Sequence, residues 1–179
     1  INGRTGRPAA LTGLKDMLAK WQAAKREPTT CYTTGFTLGC VLAENESYDS
    51  PRAKAQAGPH VALVLQHLIN VGERIDLGGH SDSALSSQVA QYQKIYDAYE
   101  PRDTRYMQLY RGHLMWLLPE EEHLISSDLI RQITLTGTVV ELRERIRMLR
   151  DTGYRQLTIQ LVPGHEDALD DWARVIEGV

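Results

Sequence analysis

The chain has 179 residues, 42% of them hydrophobic and 24% charged, with 20 Lys and Arg against 23 Asp and Glu. That balance belongs to one folded domain spanning the chain and excludes a disordered segment of this length. A net charge of −3 gives no reason to expect nucleic acid or an anionic membrane surface as a partner. The longest apolar runs, Val61–Leu65 and Leu114–Leu118, fall far short of the roughly 20 residues that span a bilayer.

Ile1-Asn2-Gly3 opens the chain where a methionine is usual, which fits processing or, as the rest of the sequence favours, a piece cut from something larger. Residues 1–7 form a basic, glycine-bearing loop. Pro8 suits the first turn of a helix, and Leu11, Leu14, Leu18 and Trp21 recur at helical spacing as far as Lys25. Pro28 ends that element.

Tyr32 to Ala43 is the clearest strand. Tyr32, Thr34, Phe36, Leu38, Cys40 and Leu42 alternate with Thr33, Gly35, Thr37, Gly39 and Val41, so large side chains share one face and small ones the other. In a parallel barrel the large face would pack on outer helices and the small face would point inward. Gly35 and Gly39 read as relief of crowding or a bulge, with close approach of a ligand as the alternative. Cys31 and Cys40 would stand roughly 30 Å apart along such a strand, too far to bridge, and read as small buried hydrophobes of a cytoplasmic protein.

Ser50-Pro51 is a helix start, and Val61, Leu65 and Leu68 give that helix its apolar face, with a break expected at Gly58-Pro59. His60 and His67 lie on it at a spacing that does not suit a shared metal. Asp76 to Ser83 is a polar loop, and Leu85 to Tyr99 a helix with Val89, Tyr92 and Tyr96 on one stripe. Pro101 to Arg111 is irregular and charged. Periodicity does not assign Leu114–Leu118 to helix or strand, and Glu120-Glu121-Glu122-His123 reads as an exposed acidic turn. Residues 70–130 together form a helical connection, either a lid over a pocket or outer helices.

Thr138 and Glu141 make a capping box, Val139, Leu142, Ile146 and Leu149 a buried stripe, and Gly153 a left-handed stop. Arg155 to Val162 is a strand with Leu157, Ile159 and Leu161 on one face. Gln156, Thr158 and Gln160 hold the other, pointing into a barrel or onto a wet site, or else forming the solvated face of an antiparallel sheet. Glu166 to Ile176 is a closing helix with Leu169, Trp172 and Ile176 inward. Helix, strand and helix in this rhythm is α/β with a parallel sheet.

No P-loop, no G-x-G-x-x-G and no G-x-S-x-G is present. His165-Glu166 opens like a zinc-protease motif, but Leu169 stands where the second His must be. Two loops before helices could hold an anion: Gly3-Arg4-Thr5-Gly6-Arg7, and the weaker Gly164-His165, whose helix end Glu166 and Asp167 already occupy.

Leu135-Thr136-Gly137-Thr138, Glu141-Leu142-Arg143-Glu144-Arg145-Ile146, Gly153-Tyr154 and Leu157-Thr158-Ile159-Gln160-Leu161 resemble the carboxyl-terminal end of the luciferase-like monooxygenases. That family includes the coenzyme F420-dependent reductases similar to methylenetetrahydromethanopterin reductase. The resemblance implies an α/β fold, the carboxyl-terminal part of a (β/α)8 TIM barrel. Ile1–Gly3 would end the sixth strand, Tyr32–Ala43 would form the seventh and Arg155–Val162 the eighth. It further implies an oxidoreductase carrying out hydride transfer or monooxygenation at coenzyme F420 or FMN, on a small-molecule substrate, inactive without its earlier strands and a homo-oligomer in its full-length form. Asn2, Gly3 and Arg4 would steady cofactor phosphate, and Gln160 would line the pocket. No residue stands out as a general acid or base. The alternative of another class is a non-catalytic α/β module that pairs with a partner chain or with itself.

Overall fold

A computed structural model describes residues 7–71 and 82–179. The first helix, α1 (Arg7–Ala23), leads through a short 3₁₀ turn at Pro28–Thr30 into the expected extended segment. That segment is two strands, β1 (Thr34–Leu38) and β2 (Val41–Leu42), separated at Gly39 and Cys40. Gly39 explains the tight fit there. A Cβ on it would stand 1.9 Å from the Leu135 carbonyl oxygen, so the close approach is by the chain's own backbone.

The helix α2 (Pro51–Val71) runs without a break through Pro59, contrary to the interruption expected from Gly58-Pro59. Gly58 and Pro59 are both buried, and Gly58 lets the Leu117 side chain approach to 3.1 Å of where its Cβ would be. Packing against that turn outweighs the single hydrogen bond that proline removes. Next come α3 (Asp82–Ala98), α4 (Arg105–Leu109) and α5 (Ser127–Ile133). Residues 101–111, read as irregular, thus contain a short helix. Leu114–Leu118 is neither helix nor strand but a turn followed by irregular chain.

Beyond α5 lies a strand that the sequence reading did not separate from the capping box, β3 (Gly137–Thr138), paired in parallel with β2. The box itself forms as expected at the start of α6 (Val139–Thr152): the Thr138 side chain accepts from the Glu141 N–H, and Glu141 caps in return. Gly153 closes α6 at φ 115°, in the left-handed region where a Cβ would be strained. The last strand, β4 (Gln156–Gln160), pairs in parallel with β1, and α7 (Ala168–Ile176) ends the order.

Two two-stranded parallel sheets, β1–β4 and β2–β3, therefore share one segment of the chain. Thr33 turns its carbonyl to the N–H groups of Arg155 and Gln156, whereas Leu38 and Cys40 turn theirs to Leu135 and Gly137. Carbonyls alternate along a strand, so β4 and β3 grip the segment from opposite edges.

Among the described residues two large apolar clusters join the helices, and a smaller one sets Cys40 and Leu42 against Ala53 of α2. Ala57, Val61, Leu65, Tyr92, Leu109 and Ile130 join α2, α3, α4 and α5. Val41, Leu135, Leu142, Ala168, Trp172 and Val175 join β2, α6 and α7, with Leu157, Ile159 and Leu161 packed on them. Each fully buried aliphatic side chain contributes about 1.5–3 kcal/mol. The inward stripe of α7 is Ala168, Trp172 and Val175, not the expected Leu169, Trp172 and Ile176. Leu169 and Ile176 are 64% and 61% exposed. Cys31 and Cys40 are both buried and free. Among the described residues no helix is long and apolar enough to cross a membrane.

Candidate functional site

Parallel pairing brings the carboxyl ends of β1 and β4 together, with Leu38 opposite Gln160. Paired residues share a face, so Thr34, Phe36 and Leu38 lie with Gln156, Thr158 and Gln160, and Thr34 Oγ1 donates to Gln156 Oε1 at 3.1 Å. The other face belongs to the helices: Leu157 and Ile159 pack with α6 and α7, and Thr37 meets His60 of α2. Over Tyr32–Thr37 this reverses the expectation for Tyr32–Ala43, whereas Cys40 and Leu42 of the large face pack with Ala53 of α2 as expected. The small residues Gly35 and Thr37 are buried toward the helices, while Tyr32 and Phe36, on the large face, keep contact with solvent. The physical reason is room, since His60 of α2 beside Thr37, and Leu157 of β4 with Tyr154 beside Gly35, fill the space over the small residues. Gln156 and Thr158 are exposed, as a wet face requires, and the ladder that carries them is parallel rather than antiparallel.

Gln160 is half-buried, and its Nε2 donates to the Leu114 carbonyl at 2.7 Å. One hydrogen bond thus fastens the 110–116 loop over the carboxyl end of β4. The loop is tightly wound. Met115 and Trp116 N–H groups both donate to the Gly112 carbonyl, and a Cβ on Gly112 would stand 2.6 Å from the Trp116 carbonyl oxygen. Leu114 holds φ 58°, a left-handed conformation that costs a branched side chain energy and that ligand-binding loops tolerate.

Beside Gln160, the Leu38 N–H donates to His60 Nδ1 at 3.3 Å. The Leu38 carbonyl goes to Leu135, so His60 fills the place of a strand partner on that same edge. An accepting Nδ1 leaves the proton on Nε2, and burial pushes the His60 pKa down to about 4. His60 is a neutral structural acceptor at pH 7.

Three polar clusters stand out elsewhere among the described residues. Arg52 binds the Glu46 carboxylate and reaches Asp171 Oδ2 at 3.3 Å and the Val41 carbonyl at 2.8 Å. That guanidinium holds the Glu46 pKa down to about 2. Tyr48 OH donates to Glu141 Oε2 at 3.3 Å, and Arg145 donates to the Thr134 and Thr136 carbonyls at 2.6 and 2.8 Å. The third is fully enclosed. Glu121 is 1% exposed and accepts from Tyr92 OH, from Gln66 Nε2 at 3.3 Å and from the Leu118 N–H at 3.0 Å. The acidic turn read as exposed thus has Glu122 and His123 outside but Glu121 inside. Three donors compensate its burial.

Of the residues expected at the site, Asn2, Gly3 and Arg4 lie outside the described residues, as do 76–81 of the polar loop. Gln160 stands at the carboxyl end of its strand, with its amide spent on holding the loop. The second candidate anion loop is taken up by the chain itself, because the Gly164 N–H donates to Glu166 Oε1 at 3.0 Å. Among the described residues no group of three His, Cys, Asp or Glu could hold a metal ion. Burial pushes the Cys40 thiol up to about 12, so it is not a nucleophile at neutral pH.

Neither a family model, a curated protein nor a solved structure matches the chain. The functional reading rests on the residues. What sequence reasoning missed is the 110–116 loop, whose only local signal was an apolar run with glycine just before it.

Proposed function

We propose that the chain contributes the seventh and eighth strands of a (β/α)8 barrel in a luciferase-like oxidoreductase that uses coenzyme F420 or FMN. The observation that carries this reading is Gln160: a half-buried amide at the carboxyl end of a parallel strand, on the face turned away from the helices. In barrel enzymes that end is where ligands bind. On the same face, two residues before it, the strand bears the exposed hydroxyl of Thr158, which suits the polar edge of a flavin or deazaflavin ring. The capping box, glycine stop and strand of the resemblance stand in the order that a βα repeat needs.

The bound cofactor would supply hydride transfer or oxygen activation. The protein's part is binding and exclusion of water. Gln160 positions the 110–116 loop, and Asn2, Gly3 and Arg4 would hold the phosphate.

Titrating coenzyme F420 and FMN separately into the chain, followed by cofactor fluorescence, tests the reading. Saturable binding of one of them, weakened by Arg4→Ala, is expected. No binding of either would leave the second reading, a pairing module, which the outer edge of β4 favours because β4 pairs with β1 alone among the described residues.

A further inference from the structure

We draw no further inference here: the strongest candidate, the hollow along α1 lined by Gly13, Met17, Lys20, Trp21 and Arg26, carries nothing, because it is one face of a helix and nothing in the structure shows what covers it.

Discussion

Tyr92→Phe isolates a fully enclosed polar interaction. The phenol ring is completely buried, and its hydroxyl donates to a carboxylate, Glu121, that is itself 1% exposed. Burial and the adjoining Glu121 push the Tyr92 pKa upward, so the hydroxyl remains a donor throughout the range in which the protein is studied. Phenylalanine keeps the ring volume, so no cavity opens beyond the missing oxygen. What is lost is one hydrogen bond to a charged group, leaving Glu121 with Gln66 at 3.3 Å and the Leu118 N–H at 3.0 Å. Such a bond contributes about 1.5–3 kcal/mol, and the substitution is expected to cost about 2 kcal/mol. Urea unfolding at pH 7, with the slope unchanged, measures it. Tyr99→Phe is the internal control, because its hydroxyl donates to Glu120 at 3.2 Å from a half-buried position and should cost under about 1 kcal/mol. Equal losses in the two variants, or a Tyr92→Phe loss below about 0.5 kcal/mol, would refute the role given to the enclosed network.

Gly39→Ala should prevent folding, since its Cβ would lie 1.9 Å from the Leu135 carbonyl oxygen, whereas Gly13→Ala, with nothing within 4 Å in the middle of α1, should stabilise by about 0.5–1 kcal/mol. Thermal melts of both decide it. Glu46 titrates at about 2 in the folded chain against an ordinary 4.5. A depressed carboxylate stabilises fully above the higher value and loses that contribution as pH falls toward the lower, so Glu46→Gln should be less stable than wild type at pH 7 and converge with it near pH 2. Curves that stay parallel down to that pH would contradict the ion pair with Arg52. His60 titrates at about 4 against 6.5. Between those values the unfolded chain holds a proton that the folded one lacks, so acid destabilises wild type by up to about 1.4 kcal/mol per pH unit more than His60→Gln. Identical slopes for the two proteins in that window would remove His60 from its place on the Leu38 N–H.

Local signals were readable without a structure. Thr138, Glu141 and Gly153 lie within one helix and its ends, and their geometry follows from backbone groups that must find partners nearby. The parallel arrangement was likewise legible, because strands separated by helices have few other ways to pair. Orientation was harder. Along α7 the sets 168, 172, 175 and 169, 172, 176 both have helical spacing, and the larger side chains of Leu169 and Ile176 favoured the wrong one. Ala168, Trp172 and Val175 are the set that packs with Val41 and Leu142. β3 is only two residues long, and strand periodicity cannot appear in two residues. Glu121 carried no local sign of burial, since two of its three donors, Gln66 and Tyr92, come from distant helices. Gln160 was picked out by alternation, but the partner that gives it a role, Leu114, lies 46 residues away.

A titration of coenzyme F420 and of FMN into wild type, Gln160→Ala and Gln156→Ala asks whether the carboxyl end of β4 is the cofactor end. Saturable binding of one cofactor, weakened about tenfold by Gln160→Ala and untouched by Gln156→Ala at the strand's other end, is the predicted result. Equal effects of the two substitutions, or no saturable binding of either cofactor, would contradict the oxidoreductase account.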